Sequence, residues 1–229
     1  PIHELSQSII NKVQNRFDKE YKPRDEIGIL KRYSDITQVD MSKGNWLVLS
    51  SANYFLDDAK DLCEIQGWYY QFKGMNSVSL KLLLALNNWE QWRKGELLNH
   101  LEIKNIYEYL GSSVVPGFQK GKTLHSDTKY KIEECQKDHG LTTSAVWFDA
   151  FEGLDPITET YIRNMRANGE MINKNPRIIM STIHGAKGGE ADNVLLLQDL
   201  TGAALETFSH DPDELHRLFY TGATRAKRE

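Results

Sequence analysis

Leu5, Ile9, Val13 and Phe17 recur every four residues, the spacing of one helix face, so the first segment is predicted to be an amphipathic helix. The stretch YKPRDE breaks it. DITQVDM and NWLVLSS follow as predicted strands, the second a nearly continuous apolar run suited to a buried parallel sheet. From Tyr54 to about Gln66 the pattern is helical, with Leu56, Ala59 and Cys63 on one side, and WYYQF reads as an aromatic-rich strand. Strand, helix, strand makes a βαβ-like unit, which points to an α/β domain. After Gly74 the periodicity turns helical: LKLLLALNNWEQWRKG, NIYEYLG, KYKIEECQKDHG, AVWFDAF and ITETYIRNMRANG are separated by Gly, Ser or Pro. Strand character returns in PRIIMSTIH and NVLLLQ, and DPDELHRLFYTGATRAK is predicted to be a helix. The expected organisation is an α/β domain built from residues 1–75 and 170–229, interrupted by a helical insertion over 76–169.

Composition narrows this only a little. With 229 residues, 40% hydrophobic and 26% charged, there is room for one large domain or two small ones with a real core. The longest apolar runs are far too short to span a bilayer, and PIHELSQSII lacks the basic start and apolar stretch of a signal peptide. Cys63 and Cys135 form neither a disulfide framework nor a zinc spacing, which suits a reducing, cytoplasmic setting. A net charge of −4 argues against holding nucleic acid by bulk charge, while leaving room for a local basic groove.

Three stretches are candidates for chemistry. GFQKGKT, Gly117 to Thr123, approaches the phosphate-binding pattern G-x-x-x-x-G-K-[ST], but only three residues separate Gly117 from Gly121. SSVV before it is at best a short strand and LHSDTKY after it is not a first helical turn, so it reads as a basic surface loop. STIHGAKGGE, Ser181 to Glu190, follows a predicted strand. It joins Thr, His, Lys and Glu to the glycines Gly185, Gly188 and Gly189, which permit close backbone approach. Loops at the carboxyl ends of parallel strands are where open α/β sheets bind ligands. LHRLFYTGATRAKRE, Leu215 to Glu229, sets an apolar face of Leu215, Leu218 and Phe219 before Arg225, Lys227 and Arg228. Arginine suits bidentate phosphate contact, and a basic helix end also suits the helix dipole. Trp89 and Trp92, three apart, fit a helix core better than a base-stacking platform.

Taken in order, the last two stretches resemble the UvrD/Rep-type superfamily 1 DNA helicases. The family pattern T-x-H-x-x-K-G-x-E is matched by Thr182, His184, Lys187, Gly188 and Glu190, and Y-V-A-x-T-R-A by YTGATRA, Tyr220 to Ala226. LSSANYFLDD is similar to the family's L-Y-R-T-N segment and puts Asn53 on its asparagine. The likeness covers about residues 45–75 and 176–229; the helical middle looks like a shortened form of the insertion these helicases carry. One position departs from the pattern: Gly189 stands where the family usually has Leu.

The resemblance implies a RecA-like parallel sheet flanked by helices, the second motor domain of an ATP-dependent helicase acting in DNA repair or replication. It implies ATP with Mg²⁺ as cofactors, and P-loop and metal ligands in a first motor domain upstream of Pro1, so this chain alone is expected to be inactive. Arg225 is then an arginine finger, Glu190 a ribose contact, and Lys187 and Gly188 part of the nucleotide site. Thr182, His184 and Asn53 contact single-stranded DNA. Plainer readings stay open: Asn53 capping the helix near Tyr54, His184 bonded within its loop, Lys187 bracing it. The rival for the whole chain is a RecA-fold module that binds DNA or a partner without motor activity.

Overall fold

The computed structural model describes residues 1–16, 27–170 and 174–228. The chain divides into two compact units, one of residues 1–77 and 176–229, the other of 78–175.

The first unit opens with helix α1 (Ile2–Ile10), shorter than its apolar spacing predicts. Phe17 lies outside the described residues. Val13 is buried, at 3% exposure, but not helical. The reason is a competing acceptor. In a continuing helix the N–H groups of Gln14 and Asn15 would bond back four residues; here they donate to the carboxylate of Asp213. DITQVDM is a second correction. Ile36–Gln38 forms a 3₁₀ turn because Asp35 accepts from both the N–H and the hydroxyl of Thr37, at 2.7 and 2.6 Å. A side chain that bonds the backbone two residues on favours a turn over a strand.

Strand β1 (Trp46–Ser50) is buried along its whole length. A 3₁₀ turn at Asn53–Leu56 leads into α2 (Asp57–Gln66), which ends on Gly67 in the left-handed region at φ +69°. The hairpin of β2 (Tyr70–Phe72) and β3 (Met75–Asn76) follows. Its tip, Lys73 and Gly74, has positive φ at both residues, the geometry of a tight hairpin turn.

The second unit contains α3 (Leu80–Arg93), β4 (Leu98–Asn99), α4 (His100–Tyr107), β5 (Lys129–Tyr130), α5 (Ile132–Asp138), α6 (Trp147–Ala150) and α7 (Pro156–Ala167). β4 and β5 pair as a small antiparallel ladder that the helical periodicity concealed. Trp89 and Trp92 are fully buried and edge-on, with ring centroids 6.0 Å apart. Their indole N–H groups donate to the carbonyls of Ala145 and Tyr130; both are core. GFQKGKT is a run of turns, with Gly117 and Gly121 at positive φ and Lys122 exposed. The next helix, α5, starts only at Ile132, so nothing here resembles a strand–loop–helix phosphate cradle.

The chain returns to the first unit as β6 (Ile178–Thr182), β7 (Asn193–Leu196), α8 (Gly202–His210) and α9 (Pro212–Ala223). α8 escaped the sequence pattern because none of its residues is buried. The five-stranded sheet has the order β3-β2-β6-β1-β7. β2, β6, β1 and β7 are parallel and β3 alone is antiparallel. β1 and β2, adjacent in sequence, are thus separated by β6, which arrives from beyond the second unit. The fold class is α/β, a mostly parallel sheet flanked by helices.

Candidate functional site

β1, β6 and β7 run in register, Trp46 opposite both Ile178 and Asn193. β6 therefore ends at one sheet edge and β7 begins at the other, and residues 183–192 must carry the chain back between them. Two small apolar anchors secure this crossing. Ile183 (1% exposed) and Ala186 (8%) pack with Leu47 and Leu49 of β1, against Leu218 and Phe219 of α9. Between the anchors His184 and Gly185 face solvent, and after them so do Lys187, Gly188, Gly189 and Glu190. The sequence thus hides its aliphatic positions beneath α9 and displays its polar ones.

The turn is closed by its own bonds. Thr182 Oγ1 accepts from Gly185 N at 3.1 Å, Ala186 N donates to Thr182 O at 3.0 Å, and Gly189 N donates to Ala186 O at 2.9 Å. Gly188 sits at φ +86°, where a residue with Cβ is strained. A Cβ on Gly189 would lie 3.3 Å from Ala186 O, a tight but yielding contact. Anchorage falls to Ile183 and Ala186, so the Gly189 departure leaves the loop pinned.

At the carboxyl edge, Ile183 N donates to Ser50 O at 2.9 Å, so the exits of β1 and β6 are adjacent. Thr182, His184 and Asn53 are brought together at this edge. Asn53 opens its 3₁₀ turn with Ala52 as the cap residue, and no side-chain cap bond is made there or at α2. The capping alternative for Asn53 is absent.

The amino edge gathers a different set. Ala191 N donates to Arg225 O at 3.2 Å, Lys227 N to Ala191 O at 2.9 Å and Arg228 N to Asp192 O at 2.9 Å. Glu190 and Arg225 thereby become near neighbours. Lys227 Nζ stands 3.6 Å from Glu190 Oε2, both side chains about 40% exposed, a pairing worth about 0–1 kcal/mol. Arg225 is half-buried and folded onto its own helix end: Nε donates to Thr221 O at 3.0 Å and Nη2 to Thr224 Oγ1 at 3.3 Å. This satisfies a terminal carbonyl of α9, as a basic residue at a helix C-terminus does. Gly222 lets α9 approach the sheet, since a Cβ there would lie 2.9 Å from Leu196 Cδ1.

Beside the crossing lies a cleft of about 520 Å³, lined in part by Asn45, Lys73, Arg177, Lys187, Glu190, Asp192 and Lys227. Four cationic side chains and two carboxylates are a donor set compatible with a phosphorylated, ribose-bearing ligand such as ATP. Among the described residues no group of three or more His, Cys, Asp or Glu is placed to hold a metal ion. Sequence reasoning missed Lys73, Arg177 and the pairing of Lys227 with Glu190. No local signal marks them, because only the sheet register brings them to the cleft.

Residues 125–229 match the family model of the UvrD-like helicase C-terminal domain. That part of the chain is similar to this family, in agreement with the motif residues and with the mostly parallel sheet. No curated protein matches the chain. No helix among the described residues is long and apolar enough to cross a membrane.

Proposed function

We propose that this chain is the C-terminal motor half of an ATP-dependent DNA helicase or translocase. Asn53, Thr182 and His184 form part of a single-stranded DNA groove at the carboxyl edge of the sheet. At the amino edge Glu190 contacts the nucleotide ribose, with Lys187 and Gly188 beside it, and Arg225 is the arginine finger. ATP with Mg²⁺ supplies the phosphoryl group and its charge. The metal ligands and P-loop belong to a partner motor domain of the same protein.

One observation carries the reading: a single crossing segment runs from Thr182 at one edge to Glu190 at the other, pinned beneath α9 by Ile183 and Ala186. A shift of α9 on nucleotide engagement is then felt at the DNA edge through one short, internally bonded loop. Coupling of this kind needs an element that both sites bias, and the crossing is such an element.

Arg225 is expected to act in the transition state, where charge spreads over the γ-phosphoryl oxygens, more than in nucleotide binding. Its present bonds run from the charged guanidinium to one neutral carbonyl and one hydroxyl, each typically worth about 1.5–3 kcal/mol net, and a doubly charge-assisted, bidentate bond to phosphate is the stronger alternative. In the intact protein, Arg225→Ala should lower kcat by roughly 10³–10⁵-fold with little change in ATP affinity. Arg225→Lys should fail nearly as badly, because Lys lacks the planar fork. Arg228→Ala, at an exposed position, is the control for a solvated charge. Near-normal turnover by Arg225→Ala, or an equal loss in Arg228→Ala, rules out the finger.

A further inference from the structure

Asp213 carries no role in the site just described, yet it is 5% exposed in the first turn of α9. It does not cap its own helix, since Asp211 does that by accepting from Asp213 N at 3.1 Å. Its carboxylate is turned away to another segment. Oδ1 accepts from Gln14 N at 2.8 Å and Oδ2 from Asn15 N at 3.0 Å. These two backbone donors are the main cause of its lowered pKa, so it is held as a carboxylate. Arg217, one turn along α9, donates from Nη2 to Asn15 O at 2.6 Å and stands 3.5 Å from Asp213 Oδ2. Two side chains thus grip a strip of non-helical backbone just after α1, and α1 itself packs along α9.

Asp213 makes this grip at the opposite end of α9 from Arg225, and Arg217 makes it midway along the helix. A helix of 12 residues is about 18 Å long, so a tilt of about 5° at one end moves the other by about 1.6 Å. Misplacement by about 1 Å can cost ~10²-fold in rate. We propose that Asp213 and Arg217 are positioning residues for Arg225, clamping the start of α9 to residues 14 and 15 so that its far end presents the guanidinium in one place. The inference rests on the finger reading of Arg225.

Asn at 213 offers one acceptor and one donor, so one of the two N–H groups loses its partner. In the intact protein with saturating single-stranded DNA, Asp213→Asn and Arg217→Gln are each expected to lower kcat by roughly ten- to hundred-fold, with KM for ATP within about twofold. Asp213→Glu, which retains both acceptors, should recover part of the loss. Combined with Arg225→Ala, neither variant should reduce turnover further, because the group they position is gone. Arg217 is about half-exposed, so Arg217→Gln tests the clamp even where Asp213→Asn fails to fold. Full additivity with Arg225→Ala, unchanged kcat in Arg217→Gln, or a KM rise equal to the kcat loss overturns the clamp. If Arg225→Ala is damaged as expected while the clamp variants turn over normally, the clamp alone is wrong. If Arg225→Ala turns over normally, the finger reading fails and the clamp with it.

Discussion

Asn53 and His184 present side chains at the carboxyl edge that no helix cap or burial explains, whereas Thr182 spends its hydroxyl on Gly185. Thr182 is therefore as much a brace as a contact, and the cleaner test falls on the other two. Asn53→Ala with His184→Ala should weaken single-strand binding by the intact protein and remove most of the DNA-stimulated ATP hydrolysis, leaving basal hydrolysis largely in place. Fluorescence anisotropy with a labelled oligonucleotide reads the first effect; unchanged affinity would return both residues to structural roles. Asp213 makes a separate prediction about pH. Its folded pKa is lowered by the N–H groups of Asn15 and Gln14. Its contribution to stability is therefore complete above the unfolded value of about 3.9 and lost as pH falls through the folded one. Acid unfolding of the wild type below pH ~4 should be steeper than that of Asp213→Asn, which has no proton to take up at this position.

Helices and strands were legible wherever local pattern and tertiary demand agreed. NWLVLSS and PRIIMSTIH became β1 and β6 because Leu47, Val48, Leu49, Ile178 and Met180 are buried in the sheet core, and NVLLLQ became β7, whose Val194 and Leu196 pack against that core while staying partly exposed. DPDELHRLFYTGA became α9 because Leu218 and Phe219 lie on one face. Two of the misreadings share a physical cause, a side chain bonding backbone that periodicity had assigned elsewhere: Asp35 onto Thr37, and Asp213 onto Gln14 and Asn15. The site was half legible. Motif residues named Glu190 and Arg225, but their adjacency depends on the pairing of Ala191 with Ala226, which no local pattern encodes. The close approach of α9 to the sheet was also invisible, and it yields a prediction. Gly222→Val would put methyl groups where Leu196 and Ile183 already lie, costing about 1–3 kcal/mol as overpacking. Thermal melting should show that loss, and the displaced α9 should lower turnover beyond what the unfolded fraction explains.

Over the whole molecule, the arrangement is one-sided. The candidate nucleotide contacts at Lys187, Gly188, Glu190 and Lys227 are exposed or only partly covered, and Arg225 faces its own helix end. A phosphoryl-transfer site needs donors around the phosphates and a metal between them; on the proposed reading the described residues would provide one flank. The loop that imitates a P-loop, Gly117 to Thr123, cannot supply the other, because its glycines build exposed turns and no helix dipole opens at Lys122. The chain by itself should therefore hydrolyse no ATP above background, with or without single-stranded DNA, in a steady-state phosphate-release assay. Lys122→Ala should leave that background unchanged, and a background abolished by this substitution would reinstate the loop as a phosphate site. The acidic balance of −4 sets the companion expectation for DNA. With few phosphate contacts in this half, its share of binding should fall only shallowly with salt, each contact contributing a slope of about −0.7 on single strands. A steep salt dependence of the isolated chain would mean that a basic surface other than the Asn53–His184 edge holds the strand.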